Sequence, residues 1–218
     1  MIKSLLHFND PNDLTKDEVK GVYWEVHGTV DSSQDGKFGN CLSISHSYSS
    51  DGYLYLYNSK IDLSLDKEWT LDMWVYQNVL KPYQPFFQIG LVILAYEGNL
   101  KIKLSSNDYW EQSLNLPVNS WFHFALVNQS QTLYAFVNGV KQVERTNQDI
   151  LRIPYPIETR LGSSDYTAFK FKGLIDEVRI SDKALWTSDF TPPATESEYH
   201  QAPKYIYIDK NNTVMGMR

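Results

Sequence analysis

The sequence predicts an all-β protein built as an antiparallel two-sheet jelly-roll sandwich. Segments with strand character recur at short spacing and are separated by turn residues, as two such sheets require. Aromatic residues make up 14% of the chain, which suits strands, and no long amphipathic helix or internal repeat interrupts the pattern. A chain of 218 residues can form one such domain, and we assign residues 1–190 to it.

Short runs of β-branched and aromatic residues define the individual strands. Two pairs of runs are joined by Glu97-Gly98-Asn99 and by Asn138-Gly139, which predict hairpin turns because Asn and Gly adopt positive φ angles at low cost. The predicted strands are Ile2–Phe8, Val22–Val26, Cys41–Ser45, Tyr53–Tyr57, Thr70–Gln77, Pro85–Ile89, Leu91–Tyr96, Leu100–Leu104, Phe122–Asn128, Leu133–Val137 and Val140–Val143.

The most informative segment is residues 169–193, which contains the predicted closing strand. Residues 174–180 alternate with period 2, and this alternation places Asp176 on the same face as Val178 and Ile180. A carboxylate on a buried face must be paired, hydrogen-bonded or bound to a metal, because burying a bare charge costs several kcal/mol. Asp176 is therefore predicted to join the closing strand to another element.

The residues after the closing strand are predicted to form a turn, a linker and a small hairpin. Ser181 is placed to cap one helical turn over residues 181–186. Residues 191–204 carry Pro, Glu and Ser without periodicity, which is typical of a linker. Residues 205–218 hold two short strand patterns around a polar turn, and such a hairpin is too small to form a core. It either packs on its own domain, pairs with a partner chain or stays mobile.

Charge and cysteine content narrow the classes of partner and compartment. The formal charge of −6 and the lack of a basic cluster argue against a nucleic-acid partner. Cys41 is the single cysteine, so no intrachain disulfide is possible. The first residues lack the apolar run of a secretory signal, and no run reaches the length of a membrane span. We therefore expect a protein made in the cytoplasm, without membrane insertion.

Four segments resemble laminin-G-like domains of the concanavalin A-like lectin and glucanase superfamily. In chain order they are SLLHFND (4–10), WTLDMWVY (69–76), PVNSWFHFALVNQSQTLYAFVNGVKQ (117–142) and IDEVRISDKALWTSDFTPP (175–193). The resemblance spans residues 4–193 and implies the same sandwich fold. It is less specific for function, because this superfamily includes lectins, adhesion modules, glycosidases and structural domains.

The resemblance and the cysteine content together suggest a biological context. Laminin-G-like domains usually occur outside cells, whereas this sequence has no disulfide and no recognisable export signal. A protein that reaches the exterior within a particle reconciles the two, so we interpret the chain as a non-enzymatic bacteriophage virion component. It would be a capsid decoration or tail- or fibre-associated subunit that attaches to cell-surface glycans and joins other virion subunits, or further copies, through its C-terminal tail. The alternative is a free-standing carbohydrate-binding module.

No catalytic residues are predicted. Glycosidases of this superfamily carry two glutamates on one strand face, because hydrolysis needs an acid and a nucleophile or base about 5–9.5 Å apart. On the comparable strand, Thr70–Gln77, Asp72 shares its face with Trp74 and Tyr76, and a second carboxylate is missing. Glu111 is a lone acid in a predicted loop, and the five histidines lack metal-ligand spacing. We therefore expect no enzymatic activity.

The resemblance also implies calcium as a candidate cofactor. Related sandwiches hold Ca²⁺ through an acidic or amide side chain after the first strand, carbonyls of the next turn and the aspartate of the closing strand. These positions correspond to Asn9 or Asp10, to Asp35 and Gly39 of the turn, and to Asp176. Asn9 stands where an aspartate is expected, and one fewer charge weakens a site for a hard cation. The alternative is that Asp176 accepts backbone N–H groups of the turn, without metal.

Aromatic side chains are the candidate contacts for a glycan or a protein partner. Trp74 and Tyr76 share a strand face with Asp72, and Tyr109 and Trp110 lie in a predicted exposed loop. The candidates are Tyr109, Trp110, Asp72, Trp74 and Tyr76. Tyr53, Tyr55 and Tyr57 also share one face of a strand, and we interpret them as core or interface packing.

Overall fold

The computed structural model contains strands, turns and irregular segments, and no helix occurs in the described part of the chain. Accordingly, that part contains no helix long and apolar enough to cross a membrane. The residues that the structure describes are 1–44, 52–58, 61–64, 66–78, 85–89, 92–96, 99–103, 109–146, 157–163, 171–197, 206–208 and 214–217.

Most predicted strands are present, with boundaries shifted by a few residues. In chain order the strands are β1 (Ile2–Leu6), β2 (Glu25–His27), β3 (Asp31–Ser33), β4 (Cys41–Ile44), β5 (Tyr53–Asn58), β6 (Trp69–Gln77), β7 (Phe87–Ile89), β8 (Val92–Tyr96), β9 (Asn99–Lys103), β10 (Tyr109–Ser113), β11 (Ser120–Gln129), β12 (Thr132–Val137), β13 (Val140–Thr146), β14 (Ile157–Leu161), β15 (Gly173–Ser181), β16 (Ile206–Ile208) and β17 (Val214–Met217).

The strands form two antiparallel sheets that pack face to face, which confirms the predicted sandwich. Sheet A follows the order β13-β12-β11-β6-β15-β4-β3, and β1 also pairs with β15. Sheet B follows the order β10-β9-β8-β7-β14-β5-β2. In the described residues β16 and β17 pair with each other as a separate two-stranded sheet. Its docking on a partner or on the sandwich stays a prediction.

The core lies between the two sheets and is rich in phenylalanine. Phe122 and Phe124 of β11 point inward, and the centroid of Phe86 lies 6.1 Å and 5.4 Å from their ring centroids. Leu71 and Met73 of β6 belong to the same buried cluster. Burying each such side chain contributes about 1.5–3 kcal/mol. Because these residues face the core, the alternate residues of β6 and β11 lie on the outer face of sheet A.

A β-bulge in β15 changes the face on which Asp176 lies. Val178 and Ile180 belong to the core, whereas Asp176 pairs with Trp74 on the outer face of sheet A. Glu177 has a φ of 52°, and the register of β15 against β6 shifts at this point. The extra residue reverses the alternation, so the prediction that Asp176 shares a face with Val178 and Ile180 is wrong.

The helical turn predicted for residues 181–186 does not form. Ser181 is instead the last residue of β15. The Thr70 hydroxyl donates to the carbonyl of Lys183 at 2.7 Å and accepts from the N–H of Leu185 at 3.0 Å. The Thr70 side chain therefore takes the hydrogen bonds of backbone groups that a helical turn would have bonded to other backbone groups of the same turn.

Strands β3, β10 and β14 account for the remaining differences. Tyr109 and Trp110, predicted in a loop, begin β10 at the edge of sheet B, and their side chains lie outside the described ones. Glu111 lies in the same strand and is exposed. Strands β3 and β14 were not predicted. Asp31–Ser33 is short and polar, and the alternation of Ile157, Thr159 and Leu161 with Glu158 and Arg160 was missed.

Candidate binding surfaces on the two sheets

The outer face of sheet A is partly covered by the segment that leaves the sandwich. In this exit segment (residues 182–197), Trp186 and Phe190 stack in parallel, with 3.9 Å between centroids, and pack on β11 and β12. The N–H of Phe190 donates to the carbonyl of Gly139 at 2.9 Å. Asn138 and Gly139 have φ angles of 51° and 77°, as the predicted hairpin turn requires. A Cβ at Gly139 would lie 1.9 Å from the Phe190 carbonyl oxygen, so glycine is needed at this contact.

Asp72 is buried on this face, and its charge is fully paired. Arg179 donates from Nε to Oδ1 and from Nη2 to Oδ2, both at 2.9 Å. His123 Nε2 lies 3.1 Å from Oδ2. Burial raises the pKa of a carboxyl group, but the Arg179 charge and the His123 hydrogen bond hold the pKa of Asp72 below its ordinary value. Asp72 is 2% exposed. Its carboxylate is therefore too deeply buried for the predicted contact with a glycan.

Aromatic rings enclose the imidazole of His123. Its centroid lies 5.3 Å, 6.0 Å and 5.8 Å from those of Trp74, Trp186 and Phe190, each in edge-on geometry. The side chain is buried, and Nδ1 has no hydrogen-bond partner. His123 is therefore a buried hydrogen-bond partner of Asp72 and is not accessible to solvent.

A row of aromatic residues extends from this covered region towards solvent. Trp74 is largely buried, and the ammonium group of Lys37 lies 4.2 Å from its ring centroid. Two residues further along β6, Tyr76 pairs across the strands with Trp121 of β11, with 5.9 Å between ring centroids. Leu174 of β15 pairs with Tyr76 on its other side. Both Tyr76 and Trp121 are half-buried, and we call them the Tyr76–Trp121 platform.

The structure brings together only part of the predicted glycan set. Trp74 and Tyr76 lie on one outer face, as their alternation along β6 predicted. Tyr109 and Trp110 lie on a strand of the other sheet. Trp121 was missed, although its position next to the inward-facing Phe122 places it on the outer face.

Asp176 is fully buried beneath the turn of residues 35–39. Its Oδ2 accepts the N–H of Phe38 at 3.0 Å, and its Oδ1 accepts the N–H of Glu177 at 2.8 Å. Burial is the largest influence and raises the pKa of Asp176 to about 7, although these N–H groups favour the ionised form. These contacts join the turn to the closing strand.

The other calcium candidates lie near the same turn or in the loop after β1. The Asn9 Oδ1 atom accepts the N–H of Asn40 at 3.1 Å, and a Cβ at Gly39 would lie 2.4 Å from that oxygen. The carboxylates of Asp10 and Asp35 bond to groups two residues away in their own turns. In the described residues, no three His, Cys, Asp or Glu side chains converge as a metal site. The oxygens already accept protein donors, so we expect calcium to bind weakly at this junction, which only a calcium titration can test.

Glu177 is a second buried acid at this junction. Its carboxylate lies 2.6 Å from Nδ1 of His7 and accepts the N–H of Ser197 at 2.7 Å. The hydrogen bond to Glu177 raises the pKa of His7, against the opposing effect of burial. The first strand, the closing strand and the end of the exit segment therefore meet at one carboxylate.

A second aromatic cluster lies on the outer face of sheet B. His27 of β2 stacks on Tyr53 of β5 at 4.9 Å and meets Tyr55 edge-on at 5.5 Å. The guanidinium carbon of Arg160 on β14 lies 5.6 Å from the centroids of both tyrosine rings. A carboxylate oxygen of Glu25 lies 3.7 Å from Nε2 of His27. We call these five residues the sheet B cluster.

The sheet B cluster corrects one part of the interpretation of these tyrosines as core or interface packing, namely the core position, and interface packing stays a prediction. Leu54 and Leu56 of β5 belong to the core, so Tyr53 and Tyr55 face away from it and are half-buried. They are not core residues. The side chain of Tyr57 lies outside the described ones.

Comparison with known proteins establishes the family. The laminin G family model described as "Concanavalin A-like lectin/glucanases superfamily" matches residues 48–189, more than half of the chain. The chain therefore belongs to this superfamily, as its sequence motifs indicated. No curated protein sequence matches it significantly.

Solved structures with the same fold come from several bacterial proteins. Domain 4 of AbnA, an extracellular arabinanase of Geobacillus stearothermophilus solved with arabinotriose, has a TM-score of 0.69 and 21% identity over 85% of this chain and 94% of its own. The binding domain of Paraclostridial Mosquitocidal Protein 1 has a TM-score of 0.63 and 17% identity over 84% of this chain. The receptor binding domain of botulinum neurotoxin D has a TM-score of 0.60 and 16% identity over 85% of this chain. This chain covers about half of each toxin domain, 48% and 50% respectively.

Proposed function

We propose that this chain is a non-catalytic glycan-binding domain that uses the Tyr76–Trp121 platform. The observation that carries the proposal is that these two rings lie side by side, half-exposed, on the outer face of a lectin-like sandwich. Aromatic rings provide a flat apolar surface for the C–H face of a sugar, and nearby polar groups fix its orientation. Lys37, beside Trp74 on the same face, is one such donor.

The environment of the acidic residues on this face supports a role without catalysis. Glycoside hydrolysis needs one carboxylic acid and one carboxylate in contact with the substrate. Asp72 is held ionised by Arg179 and is 2% exposed. Asp176 is fully buried under the turn at Phe38. Neither carboxyl group is accessible to a glycan lying on the sheet.

The known structures indicate which ligands to test first. Domain 4 of AbnA was solved with arabinotriose, and cell entry of botulinum neurotoxin type C is described as dependent on two ganglioside molecules. Both ligands are carbohydrates or carry carbohydrate, although identities of 21% and 15% show only a shared fold. A panel of oligosaccharides is therefore the appropriate first probe.

The finer proposal places the domain in a bacteriophage virion, as a capsid decoration or a tail- or fibre-associated subunit. Its support is that Cys41 is buried and free, so the fold is complete without a disulfide, and that β16 and β17 form a separate small sheet at the C-terminus. Deleting residues 200–218 should leave the sandwich folded and weaken incorporation into particles. Absence of the full chain from purified particles would favour the alternative, a free-standing carbohydrate-binding module.

Glycan-array screening of the full chain, followed by calorimetry, tests the proposal. We expect Trp121→Ala to weaken binding about tenfold, which corresponds to about 1.4 kcal/mol, because the change removes the flat apolar ring on which the sugar would stack. Trp121→Phe should retain much of the affinity. Tyr134→Ala is the matched control, because Tyr134 is a half-buried aromatic residue on β12 of the same sheet. Absence of binding to every glycan on the array would refute the proposal.

A further inference from the structure

The sheet B cluster is held in a fixed arrangement by contacts across three strands. Tyr55 pairs with Glu25 on β2 and with Arg160 on β14, so an acid and a base flank one ring. Tyr53 stacks against His27 on β2. Side chains fixed by such neighbours lose little conformational entropy when a ligand binds.

Two polar members of the cluster, Glu25 and His27, are exposed to solvent. The side chain of Glu25 is 68% exposed and that of His27 is 45% exposed, whereas both tyrosines and Arg160 are half-buried. The contact of 3.7 Å between Glu25 and His27 lies at an exposed site, where even a full ion pair contributes only about 0–1 kcal/mol to stability. The two tyrosine rings, bordered by the exposed side chains of Glu25 and His27, form a surface that is suited to binding a ligand.

The chemistry of the cluster identifies the class of ligand. Sugar hydroxyls both donate and accept hydrogen bonds, and the carboxylate of Glu25 can accept them while the guanidinium of Arg160 can donate. These two charges cancel, so the cluster has no excess positive charge to select an anionic ligand. A uronate or a sialate would also meet the exposed carboxylate of Glu25.

We infer that the sheet B cluster is a second glycan subsite, specific for an uncharged saccharide. It lies on the outer face of sheet B, whereas the Tyr76–Trp121 platform lies on the outer face of sheet A. The inference rests on the proposed function, because it assumes that the chain binds glycans. Two subsites on opposite faces would let one domain bind two glycan chains, which increases avidity for a dense glycan surface.

Single and combined variants of the full chain separate the two subsites. The probe is an array of neutral oligosaccharides, arabinotriose among them, and uronate-bearing oligosaccharides, followed by calorimetry on the neutral glycan bound best. We expect Glu25→Gln and Arg160→Lys each to weaken binding at the second subsite about tenfold. Trp121→Ala should weaken one of the two binding events about tenfold and leave the other unchanged, and Trp121→Ala combined with Tyr55→Ala should weaken both. Tyr134→Ala is again the control.

The outcomes distinguish failure of the inference from failure of the proposed function. If no glycan binds the wild type, the proposed function fails, and the second subsite fails with it. If the wild type binds a single equivalent and all cluster variants bind like it, the function stands and the cluster serves packing or a protein contact. Preference for uronate-bearing glycans would overturn the assigned ligand class. Glu25→Gln and Arg160→Lys decide the matter if Tyr55→Ala does not fold, because both retain side chains of similar size.

Discussion

Asp72 and Asp176 are both buried on the outer face of sheet A, on neighbouring strands, yet their carboxyl groups differ in charge. Asp72 meets the guanidinium fork of Arg179, and its pKa lies below the ordinary value. Asp176 meets backbone N–H groups, of Phe38 and Glu177 among others, and burial raises its pKa to about 7. A full opposing charge outweighs the cost of desolvation in the first case, whereas N–H dipoles do not in the second.

Because the two pKa values differ, the carboxyl of Asp72 keeps its charge near neutral pH, whereas the carboxyl of Asp176 titrates there. Asp72 lies where the exit segment covers the sheet, and it stays ionised at neutral pH. Asp176 lies at the junction of the turn and the closing strand, near the pair formed by His7 and Glu177. Of these two carboxyl groups, the one that titrates near neutral pH therefore lies at this junction and not under the exit segment.

The largest effect is expected from Arg179→Met. This change leaves Asp72 buried without its counter-charge, and the expected loss is about 3–5 kcal/mol in the free energy of unfolding at pH 7. Chemical denaturation measures the loss. The double variant Asp72→Asn with Arg179→Met should recover much of it, because no charge then remains buried. A single variant as stable as the wild type would show that the pair is not a buried ion pair.

A smaller loss is expected from Asp176→Ala. The change leaves the N–H groups of Phe38 and Glu177 without an acceptor in a buried site, which costs about 2–4 kcal/mol. Asp176→Asn is the matched variant, because it keeps one acceptor oxygen and should lose less. Thermal and chemical unfolding at pH 6 measure both. An unchanged melting temperature for Asp176→Ala would contradict the hydrogen-bonded junction.

These two carboxylates also show how far sequence reasoning extends. The local alternation of β6 was sufficient to place Trp74 and Tyr76 on one face, and the Asn138-Gly139 turn was predictable from two residues. The pairing of Asp72 with Arg179 was not predictable, because the two residues are 107 positions apart and neither carries a local signal of the other.

The bulge in β15 explains why the surroundings of Asp176 were predicted incorrectly. Period-2 reasoning assumes an uninterrupted strand, and the extra residue at Glu177 reverses the face without any glycine or proline to mark it. The need for a buried partner was still predictable from the charge alone. Trp121 illustrates a second limit of sequence reasoning. Its contact with Tyr76 depends on the pairing of β6 with β11, which the local sequence of neither strand specifies.

The third expected effect is a loss of stability as pH rises. The folded pKa of Asp176 lies above its unfolded value, so the folded state holds the extra proton between about pH 4 and pH 7 and is stabilised at the acidic end. His7 also has a raised folded pKa, so its contribution is complete below about pH 6.5 and is lost above its folded pKa. Both groups predict that the free energy of unfolding falls by about 1–3 kcal/mol from pH 5.5 to pH 8.5.

Variants attribute that slope to its source. Asp176→Asn and His7→Gln should each flatten the pH profile of the melting temperature. Asp72→Asn should not flatten it in this range, because the pKa of Asp72 is lowered and its contribution is lost only in acid. An equally steep profile in Asp176→Asn would show that the Asp176 carboxyl does not titrate near neutral pH.

The smallest effect is expected from calcium. At pH 8 Asp176 is largely ionised, but its two oxygens accept backbone N–H groups, and Asn9 provides an amide where a calcium site would have a second charge. Millimolar calcium should therefore raise the melting temperature of metal-stripped protein by less than about 1 °C. Asn9→Asp restores the missing charge and should give a larger, calcium-specific rise that magnesium does not reproduce. A rise of several degrees in the wild type, absent from Asp176→Asn, would instead establish calcium as a ligand of the junction and would place both buried carboxylates opposite a full positive charge.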